Sequence, residues 1–372
     1  MGEGGYAVPG HNRVPATSPE NFSLGDLRKA IPVHCFERSA WKSASYLATD
    51  VIFMAGLLYA TTWLGHPSIP SWVAWGLLWP AYWFWQGAVG TGVWIMSHEC
   101  GHGAFSPSQA VNDSVGFVFH TLLLVPYYSW KHSHRRHHSN TANVAKDEVF
   151  VPKHHEEEHL DFRWTQLAPV RLAKILVTLT LGWPAYLISN ASGRPYDRYA
   201  CHFDPYSPIY SRRERLEIVA SDVGIAAVMA GLGYLGHSYG WLALLRLYVI
   251  PYMVVNYWLV MITRLQHTHP DLPHYHTSEW DWLRGALSTC DRSYGFLDVV
   301  FHHIADTHVA HHLFSKMPFY HAEEATNALK PILGPYYKRD DRNVFVALWQ
   351  DSSSCIYVAP DVKGEGILWY RK

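Results

Sequence analysis

The chain has 372 residues, of which 49% are hydrophobic and 15% aromatic, while only 16% are charged. A formal net charge of −1 gives no basis for a nucleic-acid partner, and 17 Trp and 23 Tyr are typical of a protein that lies in and along a bilayer. The mean hydropathy is only −0.09, so a large polar portion must lie outside the lipid. The five cysteines are scattered and show no pairing pattern, which predicts reduced thiols.

Apolar stretches long enough to cross a membrane, about 20 residues each, recur along the chain. Five qualify: residues 46–64, 71–95, 172–189, 218–236 and 241–262. A sixth stretch, residues 115–126, is shorter and ends at Pro126.

Three histidine clusters lie between and after these stretches, at spacings of three and four residues. Those spacings place side chains on one face of a helix. The clusters are His98 and His102, then His134, His137 and His138, then His308, His311 and His312. Imidazole suits iron, zinc and copper, and eight imidazoles are too many for one ion. The pattern predicts a polynuclear metal site at a membrane surface, and His267, just after the last stretch, is our candidate for a ninth ligand.

The number of membrane crossings follows from placing all three clusters on one side, because an even number of spans must then separate each pair. Residues 115–126 are therefore expected to lie in the interface. Residues 172–189, interrupted by Gly182 and Pro184, are assigned to an interfacial helix. Four spans remain, in two hairpins: residues 46–64, 71–95, 218–236 and 241–262.

Charge placement predicts which side carries the metal site. The two inferred far-side loops, residues 65–70 and 237–240, contain no Lys or Arg, whereas basic residues flank the other span ends. The positive-inside rule then places the site and both termini in the cytosol. Asp50 lies near a span end, where we expect it to reach water.

Two other interpretations of the clusters have less support. His98-Glu-Cys-Gly-His102 matches the zinc-protease motif HExxH. Three features oppose that interpretation. Gly101 lies inside the motif, two further clusters need an explanation, and a catalytic zinc needs only three protein ligands. A haem protein would also be rich in histidine, but haem ligands normally lie within spans, and these clusters lie beyond the span ends.

The remaining histidines are expected to be structural, and some carboxylates to support the ligands. His120 is predicted to be hydrogen-bonded, His154, His155 and His159 to lie in a solvated charged segment, and His274, His276, His302, His303 and His321 to be surface or core residues. Asp147, Glu148 and Asp306 lie close in sequence to the clusters and are predicted to hydrogen-bond to metal ligands.

Six segments carry a close resemblance to the membrane fatty acid desaturase family, whose hallmark is three histidine boxes of this form and order. They begin at His98, His134, Asp147, Leu265, Glu279 and His308. The resemblance extends over roughly residues 32–337. It is strongest to microsomal Δ12 (omega-6, oleate) desaturases of plants and algae, because omega-3 relatives carry Asp in place of Glu99 and a bulkier residue in place of Ala310. Gly103 replaces a histidine of the plant enzymes, and we expect the missing side chain to widen the pocket.

The resemblance implies an all-α membrane protein, with four transmembrane helices and a cytosolic helical cap that holds a di-iron centre. The nine histidines would bind two iron ions, and O2 would be the co-substrate. The implied reaction converts oleoyl groups of phospholipids to linoleoyl groups in the endoplasmic reticulum membrane. An omega-3 (Δ15) desaturase and a 12-hydroxylase or conjugase on the same scaffold remain alternatives.

The resemblance also implies an electron donor and a division of the chain. Cytochrome b5 and NADH-cytochrome b5 reductase would supply the electrons, and because the sequence contains no His-Pro-Gly-Gly haem motif, cytochrome b5 is expected to be a separate partner. We predict a flexible N-terminal segment (1–31), a desaturase domain (32–340) and a cytosolic C-terminal tail (341–372).

Overall fold

The structure, a computed structural model, describes residues 12–154, 166–362 and 366–372, which form long and short helices and one small sheet. We number its helices in chain order: α1 (Leu24–Ala30), α2 (Ala40–Thr61), α3 (Trp79–His102, continuing helical residues 71–78), α4 (Gln109–Leu122), α5 (Tyr127–Asn140), α6 (Ala168–Ser189), α7 (Arg215–Tyr239), α8 (Trp241–His267), α9 (Trp282–Leu287), α10 (Leu297–Val300), α11 (His308–Leu313), α12 (Ala322–Leu333) and α13 (Val344–Ser354). Short strands β1 (His274–Tyr275), β2 (Tyr357–Pro360) and β3 (Ile367–Arg371) form an antiparallel sheet in the order β1-β3-β2.

Helices α3 and α8 lie side by side at the centre and run in the same direction. Near their first turns the Tyr82 hydroxyl donates a hydrogen bond to the Leu247 carbonyl, at 3.0 Å. Further along, a Cβ on Gly87 would lie 2.4 Å from the Val254 side chain, so only glycine permits this close approach. Both helices therefore end at the same level, at His102 and His267.

Helices α2 and α7 run in the opposite direction to this central pair. Along α3, Gly90 lies against Met54 and Gly92 against Asp50, so α2 descends as α3 rises. Helix α7 reverses into α8 at Gly240, whose φ of +94° lies in the region that favours glycine. These four helices form the two hairpins that the sequence predicts.

By length and composition alone, four of the described helices can cross a membrane: α2, α6, α7 and α8. Three of them contain predicted spans. The fourth is α6, which we assigned to the interface, whereas the predicted span in α3 is not apolar enough to qualify. Its Trp, Tyr and Gly residues lower its hydropathy. The number of candidate spans agrees with the sequence prediction, and their identity differs at one helix.

The packing of α6 nevertheless favours an interfacial position. We call the part of the protein formed by α1, α5, α9–α13 and the sheet the cap. Close to the start of α6, the Arg171 guanidinium lies 3.6 Å from the centre of the Trp349 ring, on α13 of the cap. Just beyond its end, the Ser192 carbonyl accepts a hydrogen bond from Val151 N–H at 3.1 Å. Both ends thus contact the polar cap, while the outer face exposes Leu172, Leu176, Val177, Leu181 and Ile188.

Helix α4 contains most of residues 115–126 and agrees with the expectation that they do not cross. Its 14 residues rise about 21 Å, which is less than the roughly 30 Å of hydrocarbon. Gly116 lies against Tyr127, where a Cβ would come within 2.3 Å of the ring. The helix is thereby held against the start of α5.

The described parts of both chain termini are folded onto the cap. Leu27 is fully buried and Ile31 nearly so, and Val14 N–H donates to the Asp271 carbonyl. Residues 12–31 thus contact the rest of the protein, residues 1–11 lie outside the described residues, and the flexible N-terminal segment stays a prediction. The predicted C-terminal tail contains α13, β2 and β3. Its Asp351 accepts a hydrogen bond at 2.9 Å from Arg292, which is fully buried.

The position of α6 can be tested by cysteine labelling in sealed microsomes. An impermeant maleimide added from the cytosolic side should label Leu167→Cys and Ser189→Cys above the background of the parent chain, because both ends of α6 face the cap. Tyr239→Cys should label only after permeabilisation. Labelling of just one of the first two variants would show that α6 crosses. As a second readout, a glycosylation acceptor at Tyr239 should be modified, and the sequon Asn190-Ala-Ser192 should not.

Candidate metal centre

All nine predicted ligands converge where α3, α5, α8 and α11 meet. One group of ligand atoms, all within 4.8 Å of one another, belongs to His98, His102, His134, His138 and His311. The second group, within the same limit, belongs to His137, His267 and His312. His308 joins the second group, since its Nε2 lies 3.2 Å from that of His267 and 3.1 Å from that of His312. The two groups adjoin through the stacked rings of His138 and His312, 4.2 Å apart.

A glycine inside the first cluster makes this convergence possible. Gly101 faces α5, and a Cβ there would lie 2.7 Å from the Trp130 ring. Because α3 and α5 approach so closely, Trp130 stacks on His134, with ring centres 4.5 Å apart. The same approach brings His134 Nε2 to 2.9 Å from His98 Nε2. Gly101, which argued against a zinc-protease motif, is thus needed here for the close contact between α3 and α5.

The ring nitrogens of the first group fit a cation better than they fit each other. The Nε2 atoms of His98, His102 and His134 form a triangle with sides of 2.9, 3.2 and 3.1 Å. A neutral imidazole nitrogen either donates or accepts, so three such atoms cannot all be satisfied by mutual hydrogen bonds. Metal–nitrogen bonds of about 2.0–2.1 Å would leave neighbouring ligand atoms about 3 Å apart. The residues therefore fit a bound metal.

Burial keeps these imidazoles in the form that binds metal. It holds the pKa of His134, His138 and His312 well below the usual value, and the neighbouring histidines lower it further. A ligand imidazole must be neutral, so no proton has to be displaced at neutral pH.

One predicted supporting carboxylate contacts a ligand and two do not. Asp147 lies 2.6 Å from His137 Nδ1 and also accepts a hydrogen bond from Ala142 N–H at 2.8 Å. The prediction is thus confirmed for Asp147. It is wrong for Glu148, which accepts from the Tyr196 hydroxyl at 2.6 Å. It is also wrong for Asp306, which lies 3.1 Å from His303 Nδ1. These partners, Tyr196 and His303, both lie outside the three histidine clusters.

Two buried carboxylates behind the site were not predicted. Glu99 lies 3.4 Å from His98 Nδ1, the ring nitrogen opposite the triangle, and accepts from Phe319 N–H at 3.2 Å. It therefore lies behind His98 and does not face the triangle of ring nitrogens, as a zinc-protease base would. Asp291 accepts from Val309 N–H at 2.8 Å and so fixes the start of α11. Nothing in the sequence around Asp291 marks this role.

The other histidines have structural partners, as expected. His120 Nε2 lies 3.1 Å from the Trp94 carbonyl oxygen. His302 is buried and lies 2.7 Å from Asp50, so Asp50 is used inside the protein and not in water. His154 stacks on His276. His155 and His159 lie outside the described residues.

A cavity of about 510 Å³ leads to both histidine groups. This volume lies within the range of about 300–1,000 Å³ that is typical of small-molecule pockets. Apolar side chains of α3, α6 and α8 form much of its wall: Trp94, Ile95, Ile175, Leu179, Trp183, Leu259 and Val260. At its inner end it reaches His98, His134, His137, His267 and His308.

Basic side chains line the same cavity where it opens. They belong to Arg171, Lys174 and Arg264, all at least partly exposed. Partial burial lowers the pKa of Lys174, and the neighbouring charges of Arg264 and Lys153 lower it further. The cavity thus combines an apolar interior with a cationic mouth.

The three positions singled out by resemblance lie outside this cavity. Gly103 ends α3 with a φ of +73°, and a Cβ there would face Gln109 and Asn112. It does not line the cavity, so the expectation that it widens the pocket is not supported. Ala310 is buried against the cap, and Glu99 lies behind His98. By contrast, Gln266 lines the cavity directly.

Nine clustered imidazoles, seven of them buried, at the end of a bundle of apolar helices define a membrane-associated metalloprotein. The chain belongs to the fatty acid desaturase family, whose family model matches residues 74–342, and a domain of unknown function matches residues 5–59. It is therefore an oxidoreductase, a desaturase with a metal centre.

Several curated relatives are similar over nearly their whole length. The Delta(12)-fatty-acid desaturase FAD2 of Vernicia fordii is 55% identical, covering 97% of this chain and 94% of its own. The omega-6 fatty acid desaturase, endoplasmic reticulum isozyme 2, of Glycine max is 52% identical over 100% and 99%. The oleoyl-12-hydroxylase FAH12 of Ricinus communis is 52% identical over 96% and 92%.

The role of the histidines can be tested by measuring metal content and turnover together. His134→Ala and His311→Ala should each lower the bound metal and abolish detectable turnover, because each removes a ligand from the first group. His267→Ala should do the same through the second group. His154→Ala is the matched control and should be nearly silent. Full metal content and activity in His134→Ala would refute the assignment.

Proposed function

We propose that this chain is a Δ12 acyl-lipid desaturase, which converts oleoyl groups to linoleoyl groups with O2. The observation that carries the proposal is the apolar cavity, which extends from a cationic mouth to both histidine groups. A cavity of this kind suits a long hydrocarbon chain attached to a polar, anionic group. The position of the new double bond rests on similarity to proteins named as Δ12 or omega-6 desaturases.

We propose that the nine histidines hold two iron ions. Iron with O2 supplies the power to cleave an unactivated C–H bond, which no side-chain acid or base can do. Asp147 holds the His137 ring through a hydrogen bond at Nδ1, and the Glu99 carboxylate lies 3.4 Å from Nδ1 of His98. Such contacts fix the orientation and basicity of ligand imidazoles.

The overall reaction removes two hydrogen atoms from adjacent carbons of the acyl chain. Together with two further electrons and two protons, these hydrogens reduce O2 to two waters. We propose cytochrome b5 and its NADH-dependent reductase as the source of the electrons, as the family resemblance implies.

Position along the acyl chain must be set by how deeply the chain enters, because neighbouring methylenes are chemically alike. Trp94 and Trp183 form part of the cavity wall, and their rings contact edge to face at 6.0 Å. Such apolar walls exclude water and leave the chain one extended path. Gln266, at the inner end, also lines this path, and its amide donates to the Ile304 carbonyl at 3.0 Å.

We propose that the acyl group is carried by a phospholipid at the cytosolic face of the endoplasmic reticulum. Arg171, Lys174 and Arg264 at the mouth suit a phosphate group, which accepts charge-assisted hydrogen bonds. The excess of Lys and Arg at the site-side ends of the predicted spans supports a cytosolic site. The endoplasmic reticulum is supported by the name of the Glycine max relative.

A 12-hydroxylase is the second candidate, favoured by one specific observation. A relative named as an oleoyl-12-hydroxylase is 52% identical, about as similar as the desaturases. The percentage of identical residues therefore does not distinguish a hydroxylase, which inserts oxygen, from a desaturase, which removes a second hydrogen atom. An omega-3 desaturase, the other alternative left open, has less support, because the Vernicia fordii, Glycine max and Ricinus communis relatives carry Δ12, omega-6 or oleoyl-12 names.

Expression in a host that makes oleate but no diene tests the reaction directly. The chain should yield linoleate, with the new cis double bond between carbons 12 and 13, and mass spectrometry of derivatised fatty acids locates the bond. The His134→Ala chain is the control for background products. Mainly 12-hydroxy acid would favour the second candidate, and desaturation at carbon 15 would contradict the Δ12 position.

The cationic mouth yields a separate prediction about substrate binding. Lys174→Gln combined with Arg264→Gln should raise the apparent KM for phospholipid-linked oleoyl groups roughly tenfold, as expected for the loss of two charge-assisted contacts, while kcat changes little. Arg212→Gln, which removes an exposed charge elsewhere, is the matched control. An unchanged KM in the double variant would contradict recognition of the phosphate at this mouth.

A further inference from the structure

A second group of metal-binding side chains lies in the cap, apart from the nine histidines. It consists of His34, Cys35, His321 and Glu324, whose ligand atoms all lie within 4.8 Å of one another. His34 and Cys35 lie on the short helix Val33–Phe36. His321 and Glu324 lie at the start of α12, which is far away in sequence. The four side chains are brought together only by packing of the N-terminal segment on the cap.

The measured separations are close to those of a four-coordinate metal site. His34 Nε2 lies 2.9 Å from Glu324 Oε2 and 3.7 Å from Cys35 Sγ. Bonds of about 2.0–2.3 Å in a tetrahedron place ligand atoms about 3.5 Å apart. Small movements of exposed side chains would therefore complete the geometry.

A simple ion pair between His34 and Glu324 does not account for the whole group. It leaves the Cys35 thiol fully buried beside His34, and it leaves His321 packed edge to face on the His34 ring at 5.3 Å. The charges of Glu37 and Glu324 also act on His321. Lys42, which acts on it with the opposite sign, is held over the Tyr320 ring at 4.1 Å. The Glu324 carboxylate and the Cys35 thiol, together with two imidazoles, provide a setting for a divalent cation.

We propose that His34, Cys35, His321 and Glu324 bind one zinc ion. One sulfur, two nitrogen and one oxygen ligand form a donor set that suits zinc in a closed tetrahedral site. About half of the His34 and Glu324 side chains is exposed, which provides a path for the ion to enter. The site is structural and does not depend on the proposed desaturase reaction.

The bound ion would fasten the N-terminal segment to the face of the cap behind α11. Cys35, Leu27 and Ile31 share a hydrophobic cluster with Val309 and Ala310 of α11. Helix α11 carries three of the nine histidines. Holding α1 and the Val33–Phe36 helix against α12 would therefore stabilise the surroundings of the third histidine cluster.

Cobalt(II) provides the sharpest test, because it replaces zinc and reports a thiolate ligand by its colour. The full chain, purified in nanodiscs and already loaded with iron, is titrated with Co²⁺ while absorption is recorded. A thiolate-to-cobalt charge-transfer band should appear and saturate at one cobalt per chain, and added Zn²⁺ should remove it. The nine-histidine centre has no sulfur ligand, so cobalt there cannot produce this band.

Variants assign the band to this site. Cys35→Ser should abolish it, whereas Cys201→Ser, the matched cysteine control, should keep it. Because Cys35 is buried, His321→Asn and Glu324→Gln provide milder changes, and each should weaken cobalt binding by about tenfold or more. Iron content should stay the same in all four variants. No band in the parent chain, a band that persists in Cys35→Ser, or unchanged affinity in both milder variants would overturn the proposal.

Discussion

The structure depends on one requirement: nine imidazoles, those of His102 and His134 only partly buried, must lie together although they cannot all satisfy one another by hydrogen bonds. The triangle of His98, His102 and His134 nitrogens, with sides near 3 Å, fits a bound cation better than it fits mutual hydrogen bonds. Four helices must therefore end at the same point, and the long apolar helices serve to place those ends. The centre therefore lies at the ends of α3 and α8.

Close helix packing requires glycine at particular positions of the sequence. Gly87 lets α8 approach α3, and Gly101 lets Trp130 approach the first cluster. These glycines lie in helices, where glycine costs roughly 1 kcal/mol relative to alanine, so their presence is explained by the contacts they permit. Asp147 then fixes the His137 ring from behind by a hydrogen bond to Nδ1. The positions of the histidine rings are therefore set by helix packing and by the Asp147 hydrogen bond.

Helix α6 illustrates why composition alone does not settle membrane topology. It is apolar enough to cross, but both ends contact the cap, and its inner face forms the wall of the cavity. An exposed apolar face and a buried apolar face give it the hydropathy of a span. Helix α3 shows the converse, because its aromatic and glycine residues lower its hydropathy while it forms the centre of the bundle. Contacts at the two ends of a helix are the more informative evidence.

The sequence by itself identified the nine histidines that converge, because imidazoles at helical spacing are a local property. It also determined the two hairpins, since span length and loop charge are local. Only the tertiary structure decided which carboxylates support the ligands, as Asp147 does and Glu148 does not, because hydrogen-bond partners depend on side-chain direction. The packing of the termini and the grouping of Cys35 with His321 could likewise not be predicted from the sequence. Such contacts join segments nearly 300 residues apart, and no periodic pattern records which distant segments pack together.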